Sequence, residues 1–354
     1  MKVLMVGVDA KTKGGMWSVA RSYIQCSAYQ EAVDLKYVSV ATVGSPTKKI
    51  LFFAAGFFKV IYLLITQKRD IVHIHMSERG SVFRKLIIAR VAQWFGCKIV
   101  IHMHGAEFEP WYNGSNASVK NFVRNGLNSA DCILILGEYW HPFISSIIED
   151  ERKIKVLYNA VSAPEGNRYQ MDADNMLFLG EVGERKGAYD LLTALSSIDD
   201  QLDNECQLLI YGPNPDGDIV DRIRNHNLQH RAKYMGWADP SQFEELFAGI
   251  AVNILPSYNE GLPMTILETM AYGIPNISTK IAAIPEAINE KNGMLVQPGD
   301  TKELADAILY LLRNSNVRKT KSENAYRMLR SVFSTERHMQ NVIEIYDETM
   351  KRGK

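Results

Sequence analysis

Short, almost unbroken apolar runs recur along this chain, each followed by a loop and a stretch of helical period. In the first half they fall at residues 3–8, 33–41, 71–76, 98–104, 131–137 and 153–161. The pattern restarts at 176–180 and continues at 206–212, 233–237, 250–255, 276–278 and 294–296. A strand that is apolar along its whole length is buried on both faces, and parallel sheets covered by helices provide that burial. Two such sets predict an α/β chain of two doubly wound, Rossmann-like domains. The length of 354 residues also exceeds one ordinary core. The expected boundaries are 1–162 for the first domain and 175–334 for the second. Residues 162–174, with Pro164, Gly166 and Asn167 and no apolar period, read as a linker. The amphipathic run at 335–354 has no strand after it.

The densest chemical signal is Asn259-Glu260-Gly261-Leu262-Pro263-Met264-Thr265-Ile266-Leu267-Glu268, directly after the apolar run 250–255. Pro263 suits a helix start and Gly273 its stop. That helix N-terminus offers unpaired N–H groups and partial positive charge, the makings of a phosphate site. Glu260 in the loop and Glu268 in the second helical turn then flank an anion. Carboxylates beside a phosphate need another target, and sugar hydroxyls supply one, so the stretch reads as a sugar-nucleotide site.

In its full setting, from Ser257 to Pro275, this pattern resembles the E-x7-E motif of retaining glycosyltransferases with the GT-B fold, most closely family 4. The resemblance covers nearly the whole chain and is densest from Met176 to Asp300. It implies two Rossmann-like domains facing across a cleft, with the C-terminal helix crossing back to the first domain. The first domain would take the acceptor and the second the nucleotide-sugar donor. By the same resemblance Glu260 meets the donor sugar, Glu268 the ribose, and Gly261, Leu262 and Pro263 lie near the diphosphate. Lys186, in Gly180-Glu181-Val182-Gly183-Glu184-Arg185-Lys186-Gly187, matches the family's diphosphate-neutralising lysine. The family's arginine position is held by Glu181, a charge reversal, and Arg185 is the nearest replacement. His104 of His104-Gly105 would approach the donor sugar, and Gly14 and Gly15 the diphosphate and acceptor. Gly236 and Trp237 would lie near the base. Ala282-Ala283 stands where many members have Gly-Gly.

The run from Phe178 to Leu192 looks like bacterial enzymes of capsule, exopolysaccharide or O-antigen synthesis. That likeness implies a UDP-sugar donor and a lipid-linked glycan acceptor at the inner face of the cytoplasmic membrane. No nucleic acid and no metal cofactor are expected. Asp172-Ala173-Asp174 and Asp216-Gly217-Asp218 read as turn chemistry. The pairs His73/His75 and His102/His104 lack a Cys or Asp to complete a metal set. A non-hydrolysing sugar-nucleotide epimerase shares the architecture, and a non-catalytic nucleotide-sugar-binding partner is the rival from another class; Glu181 is the one feature favouring the latter.

Charge and apolar patterning bear on partners. Residues 1–160 carry 20 Lys and Arg against 12 Asp and Glu, a balance of +8, while 161–354 carry 20 against 28, or −8. The first half is thus suited to an anionic surface. Residues 50–65 are apolar except for Lys59 and are flanked by Lys48-Lys49 and Lys68-Arg69. Two readings compete: a helix packed on the sheet, or an interfacial helix whose aromatics enter lipid while its lysines meet headgroups. The run is shorter than the ~20 residues of a spanning helix. Four scattered cysteines suit free thiols in a reducing compartment. Met1-Lys2 leads straight into the first strand, so no signal peptide is expected.

Overall fold

The computed structural model describes residues 1–12 and 14–352, and the chain divides into two compact units. The first comprises Met1–Ala160 with the terminal segment from Thr335 onward, and the second comprises Val161–Ser334.

In the first unit β1 (Lys2–Val8), β2 (Asp34–Ala41), β3 (Ile71–Met76), β4 (Lys98–Met103), β5 (Cys132–Ile135) and β6 (Ile154–Val156) form one sheet in the order β2-β1-β3-β4-β5-β6. All its pairings are parallel. β3 and β5 are buried along their full length, as their apolar sequences require. The order reverses between β1 and β3, and the loops leaving those two strands diverge there, opening the crevice where such sheets bind ligands.

Residues 50–65 lie within a 21-residue helix, Pro46–Thr66, capped by Ser45 and opened by Pro46. Gly56 lets it approach β2, since a Cβ there would meet the Ser39 carbonyl at 2.6 Å. Only Gly56, Val60, Leu63 and Leu64 are buried. Leu51, Phe58, Tyr62 and Ile65, at helical spacing on the opposite side, are each more than 60% exposed. The helix is therefore packed on the sheet by a narrow strip and apolar on its open face. With a mean hydropathy of 1.9 it is long and apolar enough to cross a membrane by length and composition.

The Thr335–Lys351 helix belongs to this first unit. Its buried face is His338, Met339, Val342, Ile345, Tyr346 and Thr349, a stripe of 3.6-residue period. Tyr346 accepts a hydrogen bond from Tyr29, and Tyr23 bonds His338 at 2.6 Å.

In the second unit β7 (Asn175–Leu179), β8 (Leu208–Tyr211), β9 (Ala232–Gly236), β10 (Ile250–Leu255), β11 (Asn276–Thr279) and β12 (Gly293–Val296) form a parallel sheet in the order β12-β11-β10-β7-β8-β9. Its switch point lies between β7 and β10. The Met264–Ala271 helix follows β10 and stops where Gly273 takes φ 74°, a left-handed turn suited to glycine.

The segment expected as a linker is anchored to the second unit. Asn167 donates to Ser322, Tyr169 to the Ala251 carbonyl, and Tyr326 to the Pro164 carbonyl. The lack of an apolar period reads as a linker, and its polar groups find partners one by one. Arg318, buried on the Ser315–Met328 helix, donates to the carbonyls of Leu311, Leu312 and Ala173 and to Tyr169. Arg318→Met is expected to lower stability by about 1.5–3 kcal/mol, the worth of charged hydrogen bonds whose loss leaves buried carbonyls unpaired. Urea unfolding checks the stability, and faster proteolysis within 162–174 checks the location.

Candidate functional site

The two loops that flank the second unit's switch point carry the residues of the sugar-nucleotide motif. β7 runs into the turn Glu184–Lys186, and β10 runs into Pro256-Ser257-Tyr258-Asn259-Glu260. The loops meet through the Lys186–Glu260 ion pair, with side chains 15% and 7% exposed. Ser257 donates to the same Glu260 oxygen at 2.9 Å, so that carboxylate is held from two sides. The backbone repeats the link, since Tyr258 N–H donates to the Arg185 carbonyl. Gly187, at φ 71°, brings its Cα against the Pro256 backbone, where a side chain would collide. Tyr258 adds a 2.5 Å bond to Asp190.

Arg185 reaches the Asn259 carbonyl at 3.3 Å and Glu181 at 3.4 Å. Both members of the Arg185–Glu181 pair are more than 40% exposed, so solvent screens it. The charge reversal at Glu181 is thus matched by the neighbouring arginine.

Gly261, Leu262 and Pro263 are buried and lead to the helix N-terminus, where Pro263 stands just before the first helical residue. No side chain caps this end. In its first turn the Thr265 hydroxyl is enclosed without a hydrogen-bond partner. Glu268 lies one turn further on and is half-buried. Ala283 N–H donates to the Gly261 carbonyl, holding the neighbouring loop in place. Ala282 keeps the left-handed backbone, φ 45°, that glycine would adopt at no cost. Alanine thus preserves the loop path at the expense of local strain. Across β8 and β9, Gly212 N–H donates to the Gly236 carbonyl, and Trp237 beyond it is half-exposed.

In the first unit, Gly14 (φ 140°) precedes the Gly15–Gln25 helix, again with no side-chain cap. Asp9 braces that loop by accepting from Thr12 and Thr42. His104 follows β4, and its Nε2 bonds His75 Nδ1 at 2.8 Å. His73 Nε2 bonds His102 Nδ1 at 3.3 Å, and His73 Nδ1 bonds Tyr346 at 2.5 Å. His338 Nδ1 faces the Tyr158 carbonyl at 2.7 Å. Lys85 is fully buried and donates to the His75 carbonyl. Burial, and then the Arg84 charge, push its pKa down to about 7. Burial and the Lys85 and His338 charges lower His104 to about 3, so its ring is neutral in ordinary buffers.

Ligand atoms of His73, His75 and His102 come within 4.8 Å of one another. The His73 and His75 rings stack only 12° from parallel, so their in-plane lone pairs run side by side, and both His73 nitrogens are engaged. Within the cluster His73 bonds His102, while His75 bonds His104 instead. Among the Asp-x-Asp triplets, Asp218 bonds Tyr189 and Arg222 at the start of the Ile219–Asn225 helix. Thr265, Ser257, Tyr346 and His338 escaped the sequence reading. Thr265 and Ser257 stood inside the motif, and His338 and Tyr346 share the terminal helix's apolar period.

Residues 173–314 match the family described as "Glycosyl transferases group 1". Over 298 residues the chain is 24% identical to the N-acetyl-alpha-D-glucosaminyl L-malate synthase of Bacillus anthracis, covering 80% of this chain and 76% of that one. It is 26% identical over 309 residues to the UDP-Gal:alpha-D-GlcNAc-diphosphoundecaprenol alpha-1,3-galactosyltransferase of Escherichia coli, covering 80% and 76%. In fold it is similar to Anabaena HepE, solved in complex with UDP and glucose. The TM-score is 0.74 at 16% identity, covering 98% of this chain and 100% of that one.

The Lys186–Glu260 link is open to a double-mutant cycle. Lys186→Met and Glu260→Gln are each expected to destabilise the chain, and the double variant to recover a coupling of about 1–3 kcal/mol in denaturant unfolding. Strict additivity would mean that the pair holds nothing together.

Proposed function

We propose that this chain, a GT-B glycosyltransferase of the family 4 type, moves a hexose from a UDP-sugar to a hydroxyl of a lipid-linked glycan in bacterial surface polysaccharide synthesis. Transfer proceeds with retention and without a metal. The observation that carries this reading is the Lys186–Glu260 pair beside an uncapped helix N-terminus with the unpartnered Thr265 hydroxyl, all at one switch point.

A diphosphate arriving there meets Lys186, the first-turn N–H groups of the Met264–Ala271 helix and Thr265. Lys186 then turns from Glu260 to phosphate. Glu260, still held by Ser257, is released to accept from donor-sugar hydroxyls, and Glu268 accepts from the ribose. As the bond from the anomeric carbon to the phosphate oxygen breaks, negative charge grows on that oxygen, where these donors are already aimed. The acceptor hydroxyl attacks the same face of the sugar, and the departing phosphate takes its proton. No side chain has to serve as nucleophile or base. His104 and Glu260 orient the sugar. Gly14 and Gly15 leave the first unit's loop open to ligand, since a Cβ on Gly14 would meet nothing within 4 Å. The E. coli relative's named substrate, a diphosphoundecaprenol-linked sugar, supports a lipid-linked acceptor.

The open face of the Pro46–Thr66 helix supports peripheral contact with the inner face of the cytoplasmic membrane. Leu51, Phe58, Tyr62 and Ile65 enter the acyl boundary while Lys48, Lys49, Lys59 and Lys68, all exposed, meet anionic headgroups.

Two measurements test this. UDP at 100 times its dissociation constant is expected to add about 2.7 kcal/mol of apparent stability, unchanged by EDTA. Glu268→Ala should lose that shift, whereas Glu260→Ala should keep it and lose turnover. No shift with any nucleoside diphosphate would sink the donor assignment. Separately, the chain should sediment with anionic vesicles and not with neutral ones. Phe58→Glu with Tyr62→Glu should weaken sedimentation about tenfold or more, since each charge buried at the interface opposes apolar insertion, while leaving the UDP shift intact. Equal sedimentation of both proteins would remove the membrane face.

A further inference from the structure

Five histidines of the first unit lie in three hydrogen-bonded sets: Tyr346–His73–His102, His75–His104 and Tyr23–His338. His338 Nδ1 faces a carbonyl, which cannot donate, so the proton is on Nδ1 and the bare Nε2 accepts from the Tyr23 hydroxyl. His75 Nε2 and His102 Nε2 are enclosed with no partner. An enclosed N–H without an acceptor is the rarer orphan in folded proteins, so both of these nitrogens are bare. The proton of His75 therefore sits on Nδ1.

We infer that His75 is a positioning residue that fixes the tautomer of His104: His75 Nδ1–H donates to His104 Nε2, so His104 presents Nδ1–H as a hydrogen-bond donor to ligand. The bond spans 2.8 Å, and the ring centroids lie 5.0 Å apart with planes 22° from parallel. His104 Nδ1 makes no hydrogen bond within the described residues and is not among the enclosed unpartnered atoms, so it is the ring nitrogen that solvent reaches. A neutral imidazole with Nε2 occupied from inside has one polarity to offer outward. The ring thus selects a ligand oxygen with a free lone pair, such as a sugar hydroxyl, and rejects a group that could only donate. Lys85 reinforces the arrangement, because its bond to the His75 carbonyl fixes the strand beneath the ring. The inference rests on the proposed function only in naming the ligand as a sugar; the tautomer stands on hydrogen bonding alone.

The test is long-range proton–nitrogen correlation NMR on the full chain labelled at histidine nitrogen, with His104 assigned from a His104→Gln variant. The expected result is a protonated Nδ1 and a bare Nε2 for His104. His75→Phe should shift His104 towards the Nε2–H form. His75→Asn, whose amide nitrogen takes the place of Nδ1, should restore the wild-type signal. In turnover, His75→Phe is expected to lose about tenfold in kcat/KM, the equivalent of one neutral hydrogen bond, and His75→Asn to recover most of it. A His104 proton on Nε2 in the wild type, a signal unmoved in His75→Phe, or displacement of these nitrogens by added Zn²⁺ would overturn the assignment. If His75→Phe fails to fold, the wild-type spectrum and His75→Asn decide alone. The expected tautomer with no transferase activity would count against the proposed function and leave this inference standing.

Discussion

Parallel sheets covered on both faces leave polar chemistry a single place to stand, the edge where the strands end. Both units of this chain obey that constraint. Inside the second sheet, buried polar side chains bond to one another or to backbone carbonyls at the strand ends. Asn253 donates to Asn276, and Thr269 on the Met264–Ala271 helix donates to the same Asn276 oxygen. That small knot bolts the helix to β10 and β11, and so fixes the helix end beside which Glu260 and Lys186 meet. The site depends on the core through a handful of hydrogen bonds that can be named individually.

The first unit shows the same economy with a different set of side chains. Four histidines at the ends of β3 and β4, which apolar strands would ordinarily exclude, are covered by Tyr23, His338 and Tyr346. Its positive balance is also divided in kind. Arg69 and Lys85 are buried, Arg69 against Asp34 and Lys85 against a carbonyl, whereas Lys48, Lys49 and Lys59 on one apolar helix, and Lys68 just beyond its end, face solvent. A charge count over the sequence merges two populations, one structural and one available to partners.

The sheets were legible because parallel strands are apolar throughout, and that pattern survives without knowledge of neighbours. The motif around Glu260 was legible because its residues are consecutive and its loop and helix follow from Pro263 and Gly273. Contacts between distant segments were not. Nothing local marks Lys186 as the partner of Glu260, or Asn167 and Tyr169 as anchored to the second unit by Ser322 and Ala251. Lys85 reads as a surface residue because lysine nearly always is one. Ala282 looked like a lost glycine, yet the backbone keeps the glycine conformation. In each case the missing knowledge was which polar group lies opposite.

The terminal helix has a consequence for how the chain is made. His73 and Tyr346 are separated by 273 residues, and Tyr23 and His338 by 315. During synthesis the second unit is complete once Ser334 has emerged, while the first still lacks one wall of its interior. Pairings so remote are slow to close and are formed last. The histidine rows at the ends of β3 and β4 therefore remain uncovered until the Thr335–Lys351 helix has been made. A chain that stops short of Thr335 would hold a complete second sheet and a first one still missing the wall that this helix supplies.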